Sequence, residues 1–533
     1  MERVLIYDTT LRDGTQAEGV SFSLPDKIRI AEELARLGFD YVEGGWPGSN
    51  PKDMAFFREV SKIDLGRTRA VAFGSTRRAG VAAEAEENVL GLLEAGTPAV
   101  AVFGKSWLLH VSDVLRVSPG ENLELVRDTV AFLKERGREV IFDAEHFFDG
   151  YKDDPGYASA VLAAAAESGA DFLVLCDTNG GSLPHEVEEA TRRVASAFAV
   201  PLGIHAHNDS GLAVANSLAA VRAGAVMVQG TMNGYGERCG NADLCAIIPN
   251  LKLKMGIDCI SDRQLRRLEE ASRFVDTLAN LRPYPRAPFV GAAAFAHKGG
   301  MHVDAVRKNP RTFEHIDPAL VGNSRRILVS ELSGKSNVIL KAVEFGVNLE
   351  KDTPETRKIL DELKRLGSDG YEFEGADASF RILIQKALRR HRDFFKLEGF
   401  RVSVEKRGPG EDPIAEATIK VRVKDQIEHT AAEGDGPVDA LNNALRKALL
   451  PFFPSIGSST LTDYKVRVLA SDAGTAAPVR VLIETTDGKD IWGTVGVSEN
   501  IIEASWQALV DSIDYSLIRR EEKREKDGHD AGD

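Results

Sequence analysis

The sequence predicts an α/β protein: an N-terminal TIM-type (β/α)8 barrel, then helical linker subdomains, then a C-terminal α+β domain built from two βββα repeats. Three observations predict it. Eight short apolar runs alternate with amphipathic segments over roughly the first 230 residues. The runs fade after Asp258, where helical patterns take over. From Phe400 a strand-rich texture begins, and it recurs about 64 residues later.

The eight runs are 3–7, 41–43, 70–73, 99–103, 139–142, 172–176, 202–205 and 225–229. Most are rich in Val, Ile or Phe, as parallel strands buried on both faces tend to be. Helices fit between them. Ser23-Leu24-Pro25-Asp26 is an N-cap with an acid for a capping box and a proline in the first turn. Ile28, Ala31, Leu34 and Leu37 then share one face, and Gly38 is a stop. Segment 157–168 is alanine-rich and closed by Gly169. Eight β-then-α units over about 250 residues are the pattern of a closed barrel, with a doubly wound open sheet as the rival.

Farther on, 262–278 and 354–366 read as helices. Segment 291–307, with Gly299-Gly300, His297 and His302, reads as a functional loop with short helical parts. Strands are predicted over 401–406, 415–423 and 426–432 with a helix from Pro437. They are predicted again over 464–469, 479–484 and 490–497 with a helix from Glu499. Ala440-x-x-x-Ala444-Leu445 matches Ala504-x-x-x-Ala508-Leu509, and Ile419 matches Ile483. Two copies suit a pseudo-symmetric domain, since a solenoid needs more repeats. The expected division is a barrel over 1–275, linker subdomains over 276–395, the repeat domain over 396–520, and a charged disordered tail over 521–533.

Composition excludes several classes. With 43% hydrophobic and 28% charged residues in 533, the chain can bury large cores, so extended disorder and fibrous architectures are excluded for most of it. A net charge of −14 argues against nucleic acid or anionic membrane as partner. Cys176, Cys239, Cys245 and Cys259 include no C-x-x-C pair, so neither a disulfide framework nor a thiolate zinc site is expected; a reducing, cytoplasmic setting fits. No signal peptide is read at the N-terminus, and no apolar run approaches the ~18 residues of a membrane span.

In a barrel of this type, chemistry sits at the C-terminal ends of the strands. Arg12 and Asp13 follow the first run, setting a carboxylate ligand beside a rigid guanidinium; the alternative is a surface ion pair at the rim. His205 and His207 end the seventh. Two residues apart on a strand, they face the same way and can converge on one metal, although many such pairs are structural. Asn241 follows the eighth run in Gly234-Tyr235-Gly236-Glu237-Arg238-Cys239-Gly240-Asn241-Ala242, as a carbonyl ligand or a turn residue. Closing the barrel makes the first, seventh and eighth strands neighbours. Asp13, His205, His207 and Asn241 then suit a divalent ion (Zn, Mn, Co or Mg) with open positions for an oxygen-bidentate substrate. Glu43 and Glu145 follow the second and fifth runs, and Thr178 lies in a short loop after the sixth. Glu145 could act as acid or base and Thr178 could hold a substrate carboxylate; each could instead cap the next helix.

Asp8-Thr9-Thr10-Leu11-Arg12-Asp13-Gly14-Thr15-Gln16, His205-Ala206-His207-Asn208-Asp209 and Gly236-Glu237-Arg238-Cys239-Gly240-Asn241 resemble motifs of the α-isopropylmalate synthase, homocitrate synthase and citramalate synthase family. The resemblance covers nearly the whole chain. Segments 45–53 and 295–304 are similar to its citramalate-forming branch. The resemblance implies a divalent metal on Asp13, His205 and His207, with Asn241 as a further or weaker ligand. It implies a 2-oxo acid held by Arg12 and Thr178, Glu145 beside the acetyl group of acetyl-CoA, and His302 reaching the active site of a partner subunit in a homodimer. The implied reaction condenses acetyl-CoA with pyruvate to give citramalate and CoA, with His302 or Glu145 as base and isoleucine as feedback effector at the C-terminal regulatory domain. A sister reaction on 2-oxoisovalerate and a catalytically idle amino-acid sensor are the alternatives. The residues before Glu145, Phe142-Asp143-Ala144, offer no apolar side chain aimed at the methyl group of pyruvate, which leaves Leu173 and Phe103 as candidates.

Overall fold

The computed structural model describes residues 3–328, 335–345, 347, 349–350, 353–469, 474 and 476–529. Two compact units divide the chain: Met1–Phe295 with Ile316–Arg325, and Ala296–His315 with Arg326–Asp533.

The first unit is a closed parallel barrel of β1 (Leu5–Asp8), β2 (Tyr41–Gly45), β3 (Arg69–Ser75), β4 (Ala99–Lys105), β5 (Glu139–Glu145), β6 (Phe172–Asp177), β7 (Leu202–Ala206) and β8 (Met227–Gly230), in sequence order. β8 closes on β1 from Leu5↔Met227 to Asp8↔Gly230, which excludes the open doubly wound sheet. Each predicted run lies on one of these strands, with ends shifted by at most three residues. The side-chain alternation sorts each strand into two layers. On β5, Val140, Phe142 and Ala144 join the core beneath the helices, while Ile141 fills the barrel interior. On β6, Leu173 and Leu175 face the helices, and Val174 and Cys176 face inward. The interior is packed by Tyr7, Tyr41, Val71, Ala101, Ile141 and Val174, so the barrel is a plugged core with its usable surface at the strand ends.

The first helix, Leu24–Arg36, starts at the Ser23/Asp26 capping box with Pro25 in its first turn. The expected helix over 262–278 is two helices, Asp262–Leu265 and Leu268–Leu278. The turn between them carries Arg267, whose guanidinium reaches Glu33 at 2.9 Å. Phe289, Val290, Phe295 and Val321 are buried in the barrel's core, which ties the segments after the last helix to this unit.

In the second unit, Ala296–His297 pairs parallel with Arg326–Ile327, and Gly300–Lys308 is helical. The two repeats are present. Lys396–Glu405, Ile414–Val423 and Gln426–Gly434 form one antiparallel sheet followed by helix Pro437–Leu449. Thr460–Val468, Val479–Thr486 and Ile491–Ser498 form another, followed by helix Ile501–His529. The copies share a hydrogen bond: Thr430 donates to the carbonyl of Ala444 at 3.0 Å, and Thr494 donates to that of Ala508 at 2.8 Å. Each bond ties the third strand to its helix at the small residue that lets the two approach. The tail expected to be disordered continues the last helix to His529, and 530–533 lie outside the described residues. Its Glu, Lys and Arg residues are good helix formers, and charge alone does not stop a helix already nucleated on a packed domain. Among the described residues no helix is long and apolar enough to cross a membrane.

Candidate active site

Three strand ends build the centre. Asp13 opens a single 3-10 turn, Asp13–Gln16, just past β1. His205 lies on β7 and His207 immediately follows it. His207 bridges Asn241 in antiparallel fashion, and the Ala242 N–H donates to the Ala206 carbonyl at 2.9 Å, so the loop after β8 is zipped to the end of β7. Gly236 is required there. At φ +150° it passes so close to Asn241 that a Cβ would lie 2.1 Å from Asn241 Nδ2.

Asp13, His205 and His207 offer one ligand atom each, all within 4.8 Å of one another, and all three are buried. His205 Nε2 and Asp13 Oδ2 are 3.2 Å apart. Burial alone would raise the Asp13 carboxyl, but Arg12 and the two imidazoles outweigh it and hold Asp13 well below the usual carboxylate range. Burial, then the neighbouring His205, push His207 down to about 3, leaving it a neutral imidazole. His207 Nδ1 and Asn241 Oδ1 are buried polar atoms without a hydrogen-bond partner. An anionic carboxylate, a neutral imidazole and orphaned N and O atoms are the donor chemistry a divalent cation needs, so the residues present fit the implied metal.

A supporting hydrogen-bond chain orients His205. The Nδ1 of His205 meets Gln229 Oε1 at 2.9 Å, and Gln229 Nε2 donates to Asp143 Oδ1 at 3.0 Å. With the proton on Nδ1, Nε2 is free to face the Asp13 side. Burial, with Glu43 close by, pushes Asp143 up to about 7. Gln229→Ala is therefore expected to weaken divalent-ion binding by about 10- to 100-fold, measured by titrating the stripped protein with Mn(II) or Zn(II). Unchanged affinity would show that the imidazole needs no such support.

Arg12 is almost buried and held on three sides: Nε donates to Glu43, Nη1 lies 3.4 Å from Asp13 Oδ2, and the guanidinium sits 3.8 Å over the Phe73 ring. Glu43 is an inward residue inside β2, not a member of the loop after it, and also accepts from the Tyr7 hydroxyl at 2.6 Å. Thr178 Oγ1 accepts the His146 N–H at 2.9 Å, which leaves its own proton free to donate. Arg238 donates to the Thr178 carbonyl at 2.7 Å and to both oxygens of Asp209. Glu145, the last residue of β5, is ion-paired with Lys105.

These side chains surround a cavity of about 210 Å³, walled on one side by Trp46, Phe73 and Phe103. The three rings pack at centroid distances of 5.4–5.7 Å. Of the two candidates for an apolar wall, Phe103 lines the cavity, but Leu173 faces the helices; the parity of β6 puts it on the outer layer. His302 belongs to the second unit, on helix Gly300–Lys308, where its ring stacks on Phe313 at 4.1 Å. Sequence reasoning missed Tyr7, Trp46, Phe73 and Gln229. Phe73 and Gln229 were within reach, since each lies on a predicted run and the two-residue alternation assigns its inward face.

Comparison with known proteins assigns the domains. Residues 3–275 match the HMGL-like model, 289–370 the homocitrate synthase post-HMGL domain-like model, and 374–517 the LeuA allosteric (dimerisation) domain. The chain is 56% identical to an (R)-citramalate synthase of Geobacter sulfurreducens, over 98% of this chain and 99% of that one. It belongs to the α-isopropylmalate synthase and citramalate synthase family. Within that family it is also 54% identical to an (R)-citramalate synthase of Aquifex aeolicus, over 98% and 99% of the two chains. A 2-isopropylmalate synthase of Methanocaldococcus jannaschii stands farther off, at 31% over 98% and 96%.

Proposed function

We propose that the chain condenses acetyl-CoA with pyruvate to give (R)-citramalate and CoA. The convergence of Asp13, His205 and His207 on one point at the mouth of the barrel carries this reading, and the full-length similarity to (R)-citramalate synthases supports it. Asp13, His205 and His207, with Asn241 as a further ligand, would hold a divalent ion, which when bound would supply Lewis-acid polarisation of a ketone. The chain's own groups do the rest. Thr178 donates its free proton to the oxo-acid carboxylate. Arg12, fixed by Glu43 and Phe73, faces the oxygen on which charge develops as the carbon–carbon bond forms. Glu145, or the partner subunit's His302, takes a proton from the acetyl methyl group, and water then cleaves the thioester. The match to the LeuA allosteric (dimerisation) domain over 374–517 supports a homodimer under allosteric control; isoleucine as the feedback effector and a cytoplasmic setting belong to the same proposal.

The aromatic wall of Trp46, Phe73 and Phe103 offers an apolar surface for the methyl group of pyruvate and supports the choice of a short 2-oxo acid. Release of CoA, followed with a thiol reagent across pyruvate, 2-oxobutyrate and 2-oxoisovalerate, with and without isoleucine, tests the reading. Pyruvate is expected to lead, and preference for 2-oxoisovalerate would overturn it. Phe103→Ala is expected to raise kcat/KM for 2-oxobutyrate relative to pyruvate by about 10- to 100-fold, since one methylene is worth roughly 1–3 kcal/mol.

A further inference from the structure

The loop after β5 holds a side-chain cluster that the reaction above does not use. His146 adopts a left-handed backbone, φ 57°, a conformation costly for a residue with a side chain. That conformation is what presents its N–H to Thr178 Oγ1 at 2.9 Å. The imidazole is then locked from several directions. Nδ1 lies 3.1 Å from Asp149 Oδ2, the ring packs 4.2 Å from that of His110, and Trp107 flanks both histidines. His110 begins a wide turn, His110–Leu115, after β4. Asp149 Oδ2 also accepts from Asn179 Nδ2 at 3.0 Å, so one carboxylate oxygen ties the β5 loop to the residue beside Thr178.

From this arrangement we propose that His146 is a positioning residue for the oxo-acid site: its clamped left-handed backbone fixes Thr178 Oγ1 as an acceptor and so aims the threonine proton at the substrate carboxylate. A threonine hydroxyl rotates freely unless one of its lone pairs is engaged. Here the His146 N–H engages it, and the proton is left to the cavity side. The packed rings hold the strained turn, and histidine is present for that packing rather than for proton transfer. The role rests on the placement of the 2-oxo acid against Thr178 proposed above.

The test is a double-mutant cycle in the full-length, metal-loaded protein. His146→Ala removes the clamp and disfavours the left-handed backbone. It is expected to raise KM for pyruvate about five- to tenfold, the scale of one hydrogen bond, with kcat and KM for acetyl-CoA within about twofold. His146→Asn, which tolerates positive φ and can still bond Asp149, is expected to restore KM. The double variant with Thr178→Ala is expected to be no worse than Thr178→Ala alone. Additive losses, or a loss confined to kcat or to KM for acetyl-CoA, would overturn the proposal. If Thr178→Ala raises KM for pyruvate and His146→Ala does not, the positioning role fails alone. If Thr178→Ala leaves that KM unmoved, the placement of the oxo acid fails and takes this role with it.

Discussion

Asp13→Ala is expected to abolish condensation, lowering kcat by roughly 10⁴-fold, or about 5.5 kcal/mol of transition-state stabilisation, while the barrel stays folded. The carboxylate is the only anion among the three converging donors, so its loss removes the charge that makes the site attractive to a cation. It also leaves His205 Nε2 facing Arg12 without the group that stands between them. Stability should fall little, because Arg12 keeps its bond to Glu43 and the barrel core beneath is untouched. Three readings separate the outcomes: CoA release, bound divalent metal after dialysis, and the midpoint of thermal unfolding. Activity and metal are expected to be lost together with the midpoint nearly unchanged. Near-normal turnover in the variant, or in wild-type protein stripped with a chelator, would sink the metal-centred mechanism.

Asp13, His205 and His207 were legible in the sequence because three rules compound there. Short apolar runs mark strands, strand parity sets the facing of His205 and His207, and barrel closure makes the first, seventh and eighth strands adjacent. No rule of that kind reaches Trp46, and for Tyr7, on the first predicted run, parity gives the inward face but not the role. Their roles arise from neighbours on other strands, Trp46 from Phe73 and Phe103, and Tyr7 from Glu43. Glu43 was visible as the charged last residue of a short run. The register of β2 places it inside the strand, fully buried, and only its partners explain why a buried acid is tolerated. Leu173 failed for the opposite reason: its chemistry suited the pocket and its parity did not. The repeat domain was read from a spacing of small residues, and the matched Thr430 and Thr494 bonds give that spacing its cause. The charged tail misled because charge reports solvation, whereas a helix end depends on the propensity of the residues that continue it.

Arg12→Lys is expected to lower kcat by about 10²–10³-fold, about 2.7–4 kcal/mol, with kcat/KM for pyruvate falling by a similar factor. Positive charge is retained, so a purely Coulombic role predicts a small effect. The geometry argues otherwise. The Nε donates to Glu43 while the guanidinium plane lies on Phe73, and these two contacts fix where the remaining N–H groups point. A lysine's donors all sit on one nitrogen, so it has no separate N–H fixed on Glu43 while others face the oxygen, no plane to lay on the ring, and a flexible stem. It would either stay with Glu43 and leave the reacting oxygen, or turn to that oxygen and leave a fully buried carboxylate with Tyr7 alone. Glu43→Gln separates the two halves of the argument. It keeps an oxygen for the Arg12 Nε but removes the anion, so the guanidinium stays placed and a smaller loss, about tenfold, is expected. A lysine variant within fivefold of wild type would show that charge alone suffices. A Glu43→Gln variant as impaired as Arg12→Lys would show that the buried anion, and not the fixed orientation of the guanidinium, is what the chemistry requires.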